Sequence, residues 1–384
     1  MTICPNAEKC GGCLYQGVPH KQQLEEKNAA VLGFLTERNI RCGEYAGVFA
    51  PPAVQRYRNK MEYSFGDEEK GGVMNLGLHR KRSYMAVIET DGCVLVPEDF
   101  ETIRKRVLDF TRGKNYSFRH KKTRSGFLRN LIIRSGMRTN ELLVNLVTTS
   151  DDELDAAGFV SCIHEAPLNA NVAGILHTVY DGRADTAGCD ELRVLYGHPH
   201  YTEKLLGLDF TVGAFTFFQT NVPAAERLFE DAFDLLPDIS SKHVYDVYCG
   251  TGALSLMLAK RAKNVTGIEI VSDSVDAARA NAALNGIMNC EFICGDAFEV
   301  MDSLRERPDT VVVDPPRMGM HPKALKKLIS YDLPELLYIS CNPKTFCADM
   351  AALQDCGYKL DVLRSYDNFP FTRHIELASR IIRR

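Results

Sequence analysis

The stretch Val244-Tyr245-Asp246-Val247-Tyr248-Cys249-Gly250-Thr251-Gly252, followed by a helix-forming run over 253–261, decides how the second half of the chain reads. A β-branched strand enters two close glycines and then a helix, so backbone can approach a ligand where helix amides are free. Outward from it the alternation repeats. Strand signals lie at 265–270, 290–294, 310–314, 336–340, 359–365 and 374–381, with helical stretches such as 274–285 and 323–330 between them. This predicts an α/β domain over 206–384, built on a mainly parallel, doubly wound sheet.

Upstream the pattern changes. Residues 1–45 read as a cysteine-rich segment and a helix over 20–39, with Leu24, Val31 and Leu35 at helical spacing. Residues 46–205 carry short β-branched runs such as 130–135 and 141–148, punctuated by Gly and Pro, and predict a mostly β central domain. A chain of 384 residues with 45% hydrophobic and 25% charged residues suits such a globular arrangement. No apolar run is long enough for a membrane span and no leader-like segment precedes Cys4, so a cytoplasmic protein without membrane association, and a monomer, is expected.

The net charge of -4 conceals a basic stretch: Arg112, Lys114, Arg119, Lys121, Lys122, Arg124, Arg129 and Arg134, with no acid between 112 and 134. Tyr116, Phe118 and Phe127 interleave with it, the mixture that pairs phosphate contacts with base stacking. An RNA partner is expected. Thirteen cysteines, an odd number, argue against a disulfide framework. Cys4, Cys10 and Cys13 are spaced as ligands for iron or zinc.

Acids recur at successive strand ends. Position 255 is Ser where a dinucleotide fingerprint would have a third glycine or alanine. Asp246, four residues before Gly250, is instead similar to the first motif of S-adenosylmethionine-dependent methyltransferases. Glu269 ends the second strand, placed for ribose hydroxyls. Asp296 follows the third, placed for an adenine amino group, and Asp314-Pro315-Pro316-Arg317 closes the fourth. Cys341, in Ser340-Cys341-Asn342-Pro343, follows an apolar run at the fifth strand's end, where ligands sit in such sheets. Most free cysteines only fill space, but this position makes Cys341 a candidate nucleophile.

Phe217-Phe218-Gln219-Thr220-Asn221, the Asp246–Gly252 motif, Asp314-Pro-Pro-Arg317, Ser340-Cys-Asn-Pro343 and Phe369-Pro-Phe-Thr-Arg-His-Ile-Glu376 together resemble the RNA uracil-C5-methyltransferases, in order along the chain. The resemblance implies a Rossmann-like methyltransferase domain in which Gln219, Tyr248, Glu269 and Asp314 contact S-adenosylmethionine, beside Gly250 and Asp296 from the glycine loop and strand-end reading. It makes Cys341 the nucleophile and Glu376 the base. It also places the fourth cysteine ligand at Cys93, for a 4Fe-4S cluster; four cysteines equally make a zinc site. A start at the cysteine segment, without a TRAM domain, resembles the short branch that methylates 23S ribosomal RNA, with transfer RNA as the alternative. Where relatives commonly have His, this chain has Phe371.

Such a site needs a thiolate because uracil C5 is too weak a nucleophile until sulfur adds at C6, and a base to remove the C5 proton. In sheets of this kind the last strand runs antiparallel beside the fifth, so Cys341 and Glu376 should meet despite their separation in sequence. Two rivals are an amino-methyltransferase using Asp314-Pro-Pro, which would commonly have an aromatic residue at Arg317's position, and an RNA-binding protein with an inactive methyltransferase fold.

Overall fold

The computed structural model describes residues 3–383. In chain order the elements begin α1 (His20–Glu37), β1 (Cys42–Phe49), β2 (Lys60–Asp67), β3 (Met74–His79), β4 (Val87–Glu89), α2 (Glu98–Gly113), β5 (Leu128–Ser135) and β6 (Glu141–Thr148). They continue with α3 (Ala156–His164), β7 (Asn171–Val179), β8 (Glu191–Gly197), β9 (His200–Leu205), β10 (Leu208–Gly213) and α4 (Val222–Phe233). The rest are β11 (His243–Val247), α5 (Ala253–Ala259), β12 (Asn264–Glu269), α6 (Ser272–Leu284), β13 (Cys290–Cys294), α7 (Ala297–Ser303) and β14 (Thr310–Val313). Last come α8 (Pro322–Ser330), β15 (Glu335–Ser340), α9 (Pro343–Asp355), β16 (Tyr358–Tyr366) and β17 (Glu376–Arg383). None of the helices described is long and apolar enough to cross a membrane.

The chain divides into two compact units. The first takes the chain up to Gly17, Val54–Lys204 and Thr211–Thr216. Its seven-stranded sheet runs β4-β3-β2-β5-β6-β7-β8, antiparallel except for the β6–β7 pair. Helices α2 and α3 bury Phe100, Ile103, Val107, Phe159 and Ile163 against sheet residues such as Leu131, Ile133 and Val144. Helix α2 was not expected from the run-by-run strand signals. It is amphipathic, with Pro97 ahead of it and Glu98, Asp99 and Glu101 in its first turn, where acids complement the helix dipole.

The second unit comprises Val18–Ala53, Leu205–Phe210 and the chain from Phe217 onward. Its eight strands run β1-β16-β17-β15-β14-β11-β12-β13, and only β17 opposes its neighbours. Central strands β14 and β15 are buried at every position, which is why they read as continuous apolar runs rather than alternating ones. The expected boundaries at 45/46 and 205/206 therefore need correcting. Strand β1 adds in parallel to β16, from Cys42 opposite Leu360 to Phe49 opposite Tyr366, and draws α1 into the catalytic unit. The physical reason is shared burial: Val31 and Leu35 of α1 lie in one apolar core with Leu360, Leu363 and Phe346. Residues 211–216 go instead with the β-rich unit.

Candidate active site

Strand β11 delivers the chain into a loop where Tyr248, Gly250 and Gly252 all have positive φ, at 70°, 55° and 82°. That conformation is easy for glycine and strained for tyrosine, and strain of this kind collects at functional sites. The amides of Tyr248 and Cys249 both donate to the Ile268 carbonyl, at 2.9 and 3.1 Å, and draw the loop toward β12. Gly252 is also closely packed: a Cβ there would stand 2.9 Å from Ala278 Cβ and from the Phe292 ring.

Glu269, at the end of β12, accepts the Gly250 amide on Oε2 at 3.1 Å and the Ile270 and Val271 amides on Oε1 at 2.9 Å. Its carboxylate is thereby fixed beside the glycine loop, with further acceptor capacity for hydroxyl groups. Asp246 lies fully buried beneath, and its Oδ2 accepts the Ser255 hydroxyl at 2.5 Å. Ser255, which breaks the dinucleotide fingerprint, is thus the partner of Asp246. Burial above all, then the Asp314 and Glu269 carboxyls, push Asp246 up to about 7 against that hydrogen bond. Burial likewise raises Asp314, just past β14, to about 7. Asp296 caps α7, its Oδ1 accepting the Phe298 and Glu299 amides at 2.9 and 3.3 Å. Half-buried Gln219 sits two residues before Asn221, whose side chain caps α4 and donates to the Asn368 carbonyl at 2.7 Å.

Strands β15 and β17 pair antiparallel from Glu335 opposite Ile382 to Ser340 opposite Leu377. Cys341 and Glu376 are the next residues beyond that last rung. Glu376 is pushed up to about 8 by burial and the Asp314 charge, with Arg317 and Lys27 opposing. Cys341 is pushed up to about 11 by burial, then by Glu376 and Asp314, with Arg317 opposing.

Several residues without an expected role hold this edge together. Asn342 caps α9 through the Lys344 amide and donates from Nδ2 to the Arg317 carbonyl at 2.8 Å. Asp349 Oδ2 accepts the Tyr338 hydroxyl at 2.6 Å and the Met320 amide at 2.9 Å, pinning the loop after Asp314. Nothing local in the sequence marked Asp349, since its partners come from other elements. Phe371 is buried with φ of 66°, so no polar role attaches to it. Cys347 packs in the core as expected, whereas Cys356 is exposed.

In the first unit Cys4, Cys10, Cys13 and Cys93 line one cavity with Gln16, Leu78 and Thr90. Burial raises Cys13 to about 11 and raises Cys10 and Cys93 as well, and neighbouring thiols of the set add to each shift. Among the described residues no three His, Cys, Asp or Glu side chains are arranged as a ready metal site. The basic stretch needs a correction. Phe127 is a core residue, and Arg119, Arg129 and Arg134 are buried, Arg129 bonding the Tyr180 and Gly182 carbonyls at 2.7 and 2.9 Å. Only Lys114, Lys122 and Arg124 of the eight are exposed, so Phe127 is no stacking platform and much of the charge is structural. Packing of a β-sheet, invisible in composition, turned these residues inward.

Comparison with known proteins gives the family. Residues 207–384 match the family model described as tRNA (uracil-5-)-methyltransferase. An uncharacterised RNA methyltransferase of Clostridium acetobutylicum is 41% identical over 97% of this chain and 82% of its own length, and one of Staphylococcus aureus is 30% identical over 98% and 83%. Among solved structures, the Pyrococcus abyssi tRNA (uracil-54, C5)-methyltransferase in complex with S-adenosyl-L-homocysteine superposes with a TM-score of 0.80 at 27% identity, covering 97% of this chain and 86% of that one. The glycine loop, the carboxyls at the strand ends and these relatives agree: the chain belongs to the RNA uracil-C5-methyltransferase family, whose members are S-adenosylmethionine-dependent RNA methyltransferases.

Proposed function

We propose that this chain methylates carbon 5 of a uridine in RNA, with Cys341 as nucleophile and Glu376 as base. The observation that supports this reading is the β15–β17 register, in which Ser340 opposite Leu377 is the last rung and Cys341 and Glu376 come next, with the Glu376 and Asp314 charges both bearing on the Cys341 thiol. S-adenosylmethionine, when bound, supplies the methyl group from its sulfonium. Gln219, Tyr248, Gly250, Glu269, Asp296 and Asp314 would hold it. The fit rests on the donor set: a fixed carboxylate at Glu269, acidic groups at half-buried Asp314 and fully buried Asp246 that favour a cationic guest, and a glycine loop open to close approach.

The Cys341 thiol is protonated near neutrality, and Arg317 is the group that favours its ionised form. Attack of the sulfur on C6 moves the ring π electrons onto O4, and C5 of this enolate accepts the methyl group. Glu376, once ionised, takes the C5 proton; the C–H electron pair restores the C5–C6 double bond, the C6–S bond breaks, and the thiolate is regenerated. Its raised pKa makes it a stronger base than an ordinary carboxylate. The target base must leave its stack to reach Cys341, which favours loops.

Our reading of the substrate is 23S ribosomal RNA, supported by the cysteine segment and by the family resemblance. We read the four cysteines as holding a 4Fe-4S cluster, because all four line one cavity. A transfer-RNA target is the second reading, favoured by the name of the Pyrococcus abyssi enzyme. The working state we assign is a cytoplasmic monomer. Mapping 5-methyluridine in ribosomal and transfer RNA from a strain lacking the gene tests this: loss at one ribosomal position is expected, loss in transfer RNA alone selects the second reading, and no loss refutes both.

A further inference from the structure

Helix α1 buries Gln23, Lys27, Val31 and Leu35, a single stripe at i, i+4 spacing. Val31 and Leu35 fill the apolar core, but Gln23 and Lys27 do not belong in one. Removing an ammonium from water costs several kcal/mol unless partners repay it, so its burial needs a reason. Lys27 Nζ donates to Asp367 Oδ1 at 2.5 Å and to the Phe369 carbonyl at 3.3 Å. His20 Nε2 meets Asp367 Oδ2 at 2.9 Å, and Gln23 Oε1 accepts the Phe371 amide at 2.9 Å. All three side chains thus act on the turn between β16 and β17. That turn, with Phe371 held in the left-handed region, leads directly into Glu376.

We infer that Lys27, with Gln23 and His20 on the same helix face, is a positioning residue for the base: its ion pair with Asp367 sets the 367–374 turn and hence where Glu376 stands against carbon 5 of the substrate. This rests on the reading of Glu376 as base. The Lys27 charge also opposes the burial that raises Glu376, in the direction that keeps it ionisable. Cys341 follows β15 and is not carried by this turn. The two halves of the reaction should therefore separate: addition and methylation survive a disturbed turn, whereas proton removal from C5, which re-forms the C5–C6 bond and expels the sulfur, does not.

The test uses the full-length protein, S-adenosylmethionine and a target RNA containing either uridine or 5-fluorouridine. The variant is Lys27→Met with Asp367→Asn, which removes both charges and leaves no orphaned ion; Gln23→Ala, which removes the Phe371 contact and a local bond to the Val18 carbonyl and leaves the ion pair in place, is the milder second variant. Expected are wild-type-like adducts on 5-fluorouridine RNA, turnover on uridine RNA at least about tenfold slower, and a protein–RNA adduct on uridine RNA that wild type does not accumulate. Lys27→Arg, which retains a cation against Asp367, should recover part of the turnover. Wild-type turnover without adduct in folded variants overturns the inference, as does loss of adduct formation and turnover in equal measure. A wild-type protein that forms no 5-fluorouridine adduct overturns the uracil-C5 reading itself and the inference with it.

Discussion

Replacing Asp246 by Asn should stabilise the protein at alkaline pH and leave it unchanged in acid. Asp246 is fully buried, with one oxygen on Ser255 and Oδ1 without a partner. Its carboxyl rises from an ordinary 3.8 to about 7 in the folded chain. The folded state therefore holds this proton more tightly than the unfolded state, and between these two values stability falls as pH rises. The full gap corresponds to about 4 kcal/mol, reached only above pH 7 and absent below pH 4. An amide of the same shape keeps its oxygen on Ser255, and its nitrogen replaces an atom that was already unpartnered, so little new cost arises. Thermal melts of both proteins at pH 4.5 and pH 8.5 measure the difference. The expected gain at pH 8.5 is about 8–16 °C for a unit of this size, shrinking to a few degrees or less at pH 4.5. Equal melting at pH 8.5, or a gain that does not depend on pH, would refute the reasoning. The stabilised variant should also bind S-adenosylmethionine more weakly, because one acidic group fewer lies beneath the glycine loop.

Gly252→Ala puts a methyl group 2.9 Å from Ala278 and Phe292 at a φ of 82°; a loss of about 2–5 kcal/mol in urea unfolding is expected, and a loss below 1 kcal/mol contradicts the packing described. The value of kcat should climb with pH through about 8 as Glu376 ionises, with Cys341, near 11, adding no falling limb; a flat profile from pH 6 to 9 counts against the role of Glu376. Cys341→Ala should abolish methyl transfer and adduct formation, and Glu376→Gln should abolish turnover on uridine RNA while still forming adduct. Protein purified without oxygen should carry about four irons and four sulfides, lost in Cys93→Ser; zinc without sulfide would rule the cluster out.

The catalytic half was legible because a doubly wound sheet announces itself locally. Strands buried on both faces read as apolar runs, and β13 falls at 290–294 as expected. The strand-end acids were legible for the same reason, since ligand sites in such sheets lie where strands stop. Helix α2 was missed because its apolar spacing lies among charged residues, and the basic stretch was over-read because charge in a sequence does not reveal which way a side chain points. Arg129 and Arg134 sit on β5, where every position is buried.

By itself the sequence determined which chemical groups are available: a thiol after one strand, a carboxylate at the start of another, acids at strand ends and a glycine loop between strand and helix. These depend on neighbours along the chain. Only the tertiary structure fixed the β15–β17 register, whose last rung sets Ser340 opposite Leu377. It alone turned Ser255 from a defect in one motif into the partner of Asp246, and brought α1 across more than three hundred residues to seat Lys27 on Asp367. Pairings of that kind arise from sheet register and from burial shared by distant segments, and no window of sequence contains both partners.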